Sequence, residues 1–250
     1  MFRRLFIALP LLSSCSLLFV PSAGAELDGG PLDAAVLDAE IRLVDAASDA
    51  GPGEPICSEG ECQLVVYVTS PLSDAYQSMP MNGQDETTII DDSPALPLFP
   101  SAAGTANVVG LRFENLRIPN GTVINRAEFE YTAFGSVDEQ ASWGVRMDMS
   151  VNAADFSTSL IGRSTEVCGS TNGLKTWEDG DNYIVPVSCQ ERLQELVVDD
   201  KWDPESNAVV ILVQHFQGEK REAYSYEGAL ASDDLSLAPR LLVSFQDPGP

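Results

Sequence analysis

The chain has 250 residues, 44% of them hydrophobic and 8% aromatic, and its 38 acidic residues against 14 basic ones give a formal net charge of −24. That excess of anions excludes nucleic acid as a partner, because affinity for a phosphate backbone comes mostly from cations. It disfavours anionic membrane surfaces for the same reason, and leaves divalent cations and uncharged ligands as compatible partners.

At the N-terminus, Arg3 and Arg4 precede an apolar run over residues 5–20, interrupted by Pro10 and serines. This is the layout of a bacterial-type secretory signal. Two cleavage sites compete. Ala23-Gly24-Ala25 before Glu26 has the small-x-small pattern of ordinary signal peptidase, whereas Leu12-Ser13-Ser14-Cys15 reads as a lipobox that would leave Cys15 as a lipid-bearing N-terminus. Removing a leader with two arginines and no acid takes the formal charge from −24 to −26. No later segment approaches the roughly 20 uninterrupted apolar residues that a membrane span needs. The expected location is secreted or at the outer cell surface, with the periplasm also compatible.

The organisation expected is a signal peptide over 1–25, an acidic flexible linker over 26–61 and a β-sandwich domain over 62–250. The linker is rich in Asp, Ala, Gly and Pro and lacks aromatic residues, with only Leu37, Ile41 and Val44 at helical spacing. Of five cysteines, four remain once Cys15 is set aside, which in an oxidising compartment predicts two disulfides. Three pairings are formally possible, and the local one joins Cys57 to Cys62 and Cys168 to Cys189. No cysteine pair has zinc-type C-x-x-C spacing and the chain has 1 histidine, which argues against a metal site.

Within the domain, β-type runs are predicted over residues 64–69, 108–113, 123–133, 144–151, 207–216 and 240–245. Ile118-Pro119-Asn120-Gly121-Thr122 predicts a sharp turn, since Pro fixes φ and Asn-Gly tolerates positive φ. The sequon Asn120-Gly121-Thr122 is taken as a chance match. One helix is predicted from Ser188, with a Ser188-x-x-Glu191 capping box and a stripe of Leu193, Leu196 and Val197, lying across one end of the sandwich. The pattern is that of an all-β fold with one short α-helix.

Val109-Gly110-Leu111-Arg112-Phe113, Ile118-Pro119-x-Gly121-x-x-Ile124 and Ala127-x-Phe129 occur in that order. They are followed by an Asn-Ala-x-x-Phe element ending at Phe156, Trp177-x-x-Gly180, Leu193-Gln194-Glu195-Leu196-Val197 with Trp202, and Asn207-Ala208. Arg221-Glu222-Ala223-Tyr224-Ser225-Tyr226-Glu227-Gly228 and Ala238-Pro239-x-Leu241-Leu242-Val243 close the series. Together these resemble bacterial extracellular jelly-roll modules of the DNRLRE and carbohydrate-binding-module-like group, over nearly the whole domain. The resemblance implies a jelly-roll antiparallel β-sandwich, and a role in some members as a polysaccharide-binding accessory. It also implies a structural calcium ion near the two chain ends, for which Asp74, Glu222, Glu227 and Asp234 are the candidate ligands, against the reading of these acids as solvated surface groups.

A sugar platform needs flat exposed rings beside hydrogen-bonding side chains. Tyr76, Trp143, Trp177 and Tyr183 lie in or beside loop-like segments and are the candidates; core packing is the alternative for each, and Trp202 reads as packing. His215 sits near the end of a strand, and with no G-x-S-x-G elbow it does not suggest a triad. Arg112 and Arg221 read as internal braces, partnered by Glu222 or Glu128, or as ligand clamps. The expected function is a non-catalytic secreted or surface-tethered module that binds polysaccharide or an extracellular protein. A structural or adhesion component without a small-molecule ligand is the alternative, and a hydrolase with a carboxylate pair the third reading.

Overall fold

The computed structural model describes residues 53–80, 89–90, 92–99, 105–138, 140–157, 159–174, 176–218 and 220–249. The expected signal peptide, Cys15 and the first part of the expected linker lie outside the described residues. In chain order the elements are β1 (Ile56–Ser58), β2 (Glu61–Tyr67), β3 (Asp74–Pro80), β4 (Ile89–Ile90), β5 (Ala95–Pro97), β6 (Thr105–Glu114), β7 (Ile124–Thr132), β8 (Ala141–Asp148), β9 (Thr165–Leu174) and β10 (Asn182–Ile184). There follow α1 (Gln190–Val197), β11 (Ala208–Gly218), β12 (Glu222–Tyr224), α2 (Tyr226–Ala231), a 3-10 turn (Leu235–Leu237) and β13 (Arg240–Gln246).

One sheet has the order β1-β2-β13-β7-β10, the other β4-β3-β6-β11-β8-β9, and β12 pairs with β5 in a small third sheet. Setting aside β1 and the insertions β3, β4, β5 and β12, the eight remaining strands count off as 1-8-3-6 in the first sheet and 2-7-4-5 in the second. That interleaving is the double Greek key of a jelly roll. The all-β sandwich predicted from sequence is therefore the fold, and all six predicted strands are present as β2, β6, β7, β8, β11 and β13. α2 is a second short helix beyond the one predicted. No described helix is long and apolar enough to cross a membrane.

The sequence makes these strands by alternation. β2 turns Cys62, Leu64 and Val66 inward and leaves Gln63, Val65 and Tyr67 half-exposed. β11 is apolar on both faces because both are covered. Its inner Val209, Ile211 and Val213 join the main core, whereas outer Val210 and Leu212 belong to a second cluster with Val108, Ala75, Ala153, Phe156 and Leu160. Ala153, Phe156 and Leu160 come from the loop of residues 149–164, which roofs that half of the second sheet. Gly110 admits the roof: a Cβ there would lie 2.1 Å from Leu160 Cδ2 and 2.7 Å from Phe156 Cζ. Arg163 pins the loop by pairing with Asp148 (3.2 Å) and donating to the carbonyls of Ala154 and Asp155, and Arg112 Nε donates to the carbonyl of Ala153.

The linker is shorter than predicted, since residues 56–61 already belong to the first sheet. Glu59 (φ 52°) and Gly60 (φ 85°) both take left-handed conformations, the requirement of a tight two-residue hairpin turn, and Cys57 faces Cys62 across it. An acid-rich stretch hid a hairpin whose stability comes from a disulfide rather than from apolar alternation. α1 also differs from expectation. Its N-cap is Cys189 with no side-chain cap, so the Ser188/Glu191 box does not close, although Leu193, Leu196 and Val197 are buried as predicted. The helix flanks β7 and supplies a substitute for a neighbouring strand. Gln194 Oε1 accepts from the Ile124 amide, Gln190 Nε2 donates to the Ile124 carbonyl and Gln194 Nε2 to the Thr122 carbonyl, all within 2.9 Å. Two glutamines thereby satisfy an edge that would otherwise offer itself to another chain.

The disulfides are Cys57–Cys62 and Cys168–Cys189, the local pairing. Their sequence separations of 5 and 21 residues set how much each constrains the unfolded chain. Replacing Cys168 and Cys189 together by Ser is expected to lower the unfolding free energy by about 3 kcal/mol, and the Cys57/Cys62 pair by about 2 kcal/mol. Urea denaturation of the two double variants measures both.

Candidate functional site

Three of the four aromatic candidates, Trp143, Trp177 and Tyr183, converge, but two of them point inward. Trp143 is 1% exposed and Trp177 0%, so neither offers a ring face to a ligand, which corrects the expectation of a platform built on them. They form a ladder instead. Tyr131 meets Trp143 edge-on at 6.2 Å, Trp143 meets Trp177 edge-on at 5.9 Å, and Trp177 stacks on Tyr183 at 4.5 Å. The Arg221 guanidinium lies over Trp177 at 5.3 Å. Trp177 lies outside the long strands. An isolated bridge to Val137 and a hydrogen bond from Nε1 to the Glu222 carbonyl (2.9 Å) turn its indole inward.

Tyr183 is half-buried, and its hydroxyl accepts the Glu178 amide at 3.0 Å. Tyr76 packs partly against the core, and burial, then Asp92 and Glu222, push its hydroxyl above the usual tyrosine range. Trp202 is core, donating from Nε1 to the Ile118 carbonyl at 2.7 Å.

The four carboxylates proposed for calcium each have a structural task and are not gathered around one point. Asp74 is buried and its Oδ2 accepts the Tyr226 amide at the start of α2 (2.7 Å). Glu227 lies in the first turn of that helix, where the dipole favours an acid. Glu222 meets Lys220 at 3.6 Å. Asp234 caps the 3-10 turn, accepting from the amide and hydroxyl of Ser236. Among the described residues the one close trio of His, Cys, Asp or Glu is Cys57, Cys62 and Asp247, and its sulfurs are bonded to each other. Among the described residues, the four carboxylates named for calcium form no close trio of ligands.

Arg112 braces the fold with another partner than expected. Arg112 pairs with Glu114, Arg126 with Glu128 and Arg240 with Glu130. Burial raises the Glu130 carboxyl even though Arg240 opposes the shift.

The surface that the sequence reading missed is the unroofed half of the second sheet. In this outer layer Gln214 stands opposite Gly144, and Gly144 opposite Ser170. The next row joins Leu212, Arg146 and Val167. Phe216, on the same side of β11 as Gln214, is 43% exposed and is the one exposed aromatic ring among the described residues. Its ring occupies the space above Gly144: a Cβ at that position would lie 2.3 Å from Phe216 Cζ and 2.7 Å from Cε2. Arg146 is fixed beside it by Thr165, through Nε to the hydroxyl (2.7 Å) and Nη2 to the carbonyl (3.0 Å). A shallow groove of about 20 Å³ runs along Gly144, Arg146, Val167, Gln214 and Phe216. Alternation along 207–216 held the signal, because it sets His215 inward and Phe216 outward. A larger polar recess of about 250 Å³ lies beside the Cys168–Cys189 disulfide, between Val167 and the first turn of α1.

Fold and disulfides together define a disulfide-bonded jelly-roll sandwich, a form suited to an oxidising compartment. No family model matches the chain, and no curated protein matches it significantly.

His215 is buried opposite Trp143. Burial holds its imidazole below the usual 6.5, opposed by a backbone hydrogen bond with Gly218. The unfolded chain therefore takes up this proton first as pH falls. The stability contributed by neutral His215 is intact above pH 6.5 and is lost progressively as pH drops from there towards the depressed folded value. Over that window His215→Gln is expected to flatten the fall in stability by up to about 1.4 kcal/mol per pH unit. Urea midpoints from about pH 5 to 7.5 compare the two proteins.

Proposed function

We propose that this chain is an exported, non-catalytic binding module that recognises polysaccharide at or beyond the cell surface. The observation that carries the reading is the half-roofed second sheet: one half is sealed by Phe156 and Leu160, and the other presents Phe216 among Gln214, Arg146 and Ser170. An exposed ring that shares a groove with Gln214 and Arg146 suits a sugar, whose C–H face is apolar and whose hydroxyls seek partners. The signal-like N-terminus and two disulfides support export. The net charge of −24 favours an uncharged ligand over an anionic one. The resemblance to extracellular jelly-roll modules supports the same class. It carries less weight than the surface, since one sandwich serves many functions.

Incubating the disulfide-bonded chain with a glycan array and with insoluble polysaccharides is expected to give saturable binding to a neutral glycan, insensitive to chelator. Absence of binding on every surface would favour a structural or adhesion role.

A further inference from the structure

We infer that the Cys168–Cys189 disulfide is a thiol-exchange site, at which a thiol of amino-acid size attacks Cys168 through the recess beside α1 and releases Cys189 as a thiolate that caps the helix. This reactivity is independent of the polysaccharide reading above.

The two sulfurs differ in access. Cys168, on the edge strand β9, is half-buried and lines the recess of about 250 Å³ together with Val167, Ser188, Gln190, Glu191 and Arg192. Cys189 is 1% exposed, so a thiolate arriving from solvent meets Cys168 first. The recess is smaller than the roughly 300 to 1,000 Å³ of sites for drug-sized ligands, which suits a small thiol.

The leaving group is set by α1. Cys189 is the N-cap of this helix, yet in the disulfide its sulfur accepts no amide of the first turn. An N-cap calls for an acceptor, and a helix N-terminus stabilises a thiolate. The incoming thiolate bonds to Cys168 Sγ, the S–S bond breaks, and its electron pair leaves on Cys189 Sγ, which becomes that acceptor. A second thiolate then attacks the small molecule's sulfur in the mixed disulfide and releases Cys168. Two thiols thus become one small disulfide, and the two electrons and two protons they lose end on Cys168 and Cys189. Arg192 lines the same recess, held by Nε to the Val167 carbonyl (3.3 Å) and by Nη1 to Glu195, and neither bond uses Nη2. Its charge favours an approaching anion, while Glu191, the one acid in the lining, opposes it. The other disulfide lacks this setting. Cys57 is exposed, but an oxygen of Asp247 lies within 4.8 Å of both sulfurs, and Glu59 and Glu61 belong to the same hairpin, so like charge repels a thiolate there.

Peptide mapping by mass spectrometry of the whole disulfide-bonded chain, acid-quenched at intervals during exposure to limiting L-cysteine, tests the assignment. The expected first product carries cysteine on Cys168 and a free thiol at Cys189, and forms at least tenfold faster than any adduct on Cys57 or Cys62. Glu191→Trp fills the mouth of the recess and is expected to slow the Cys168 adduct at least tenfold, with the reaction at Cys57–Cys62 and the urea midpoint unchanged. An adduct that appears first on Cys57 or Cys62, or on Cys168 only when urea unfolds the chain, overturns the exchange site. An adduct on Cys189 in place of Cys168 overturns the leaving group assigned to the helix, and equal Cys168 rates in Glu191→Trp and the parent overturn the route through the recess. Each of these outcomes leaves the polysaccharide reading where it stood.

Discussion

The ladder of rings between the sheets is the interaction on which the rest of this molecule depends. Tyr131 comes from the first sheet and Trp143 from the second, while Trp177 and Tyr183 come from the β9–β10 connection and β10. Edge-on and stacked contacts suit the quadrupoles of these rings, and each indole carries an N–H that needs a partner when buried. Trp177 meets that need by donating to the Glu222 carbonyl, which draws the start of β12 onto the sandwich. Ala223 then bridges to Ala133, and β12 in turn pairs with β5. One buried indole therefore fixes the position of two insertions. It also uses up the large aromatic surface that, read as loop sequence, suggested a sugar platform.

The polar interior at this end has to be compatible with that burial. Arg221 is fully buried and delivers its charge against the Trp177 face, a weakly hydrated guanidinium being the cation best suited to such a site. Asp74 is buried too, and its carboxylate contributes to raising the Tyr131 hydroxyl, although the loss of solvent around that phenol is the larger cause. An acid that the resemblance placed near calcium organises backbone here: Asp74 accepts the Tyr226 amide of α2, beside the Ser225 hydroxyl that accepts the Gly228 amide. A carboxylate's position in sequence says that it is near an element's end, but not whether a neighbouring amide or a metal ion receives its lone pairs.

How much the sequence revealed follows from where burial coincides with pattern. The strands found were those with dense β-branched residues, such as Val209, Val210 and Ile211 in β11, or regular alternation, as in β2. The strands missed were polar or glycine-bearing. β9 contains Thr165, Glu166, Cys168 and Gly169 and is irregularly paired, with a register shift opposite Val145 and Arg146, so its alternation breaks where a period of two is sought. β3 hides its core role behind Asp74 and Gln77, both buried because they serve the backbone of distant segments; Gln77 Oε1 accepts the Leu160 amide of the roofing loop at 2.9 Å. The disulfides were legible because local pairs close short loops. Depth at Trp143 and Trp177 was not, since a tryptophan near a turn signal reads the same whether it lies on a surface or folds beneath it.

The open face of the second sheet is the remaining place where pattern and packing part. Apolar residues on both sides of β11 demand a roof, and the loop over Gly110 supplies it as far as Leu212. Beyond that the outer positions turn polar, with half-buried Gln214 and then buried Ser142 on the neighbouring strand. Phe216 breaks the rule. Covering a glycine with a cross-strand ring stabilises a sheet, and that accounts for the ring lying on Gly144.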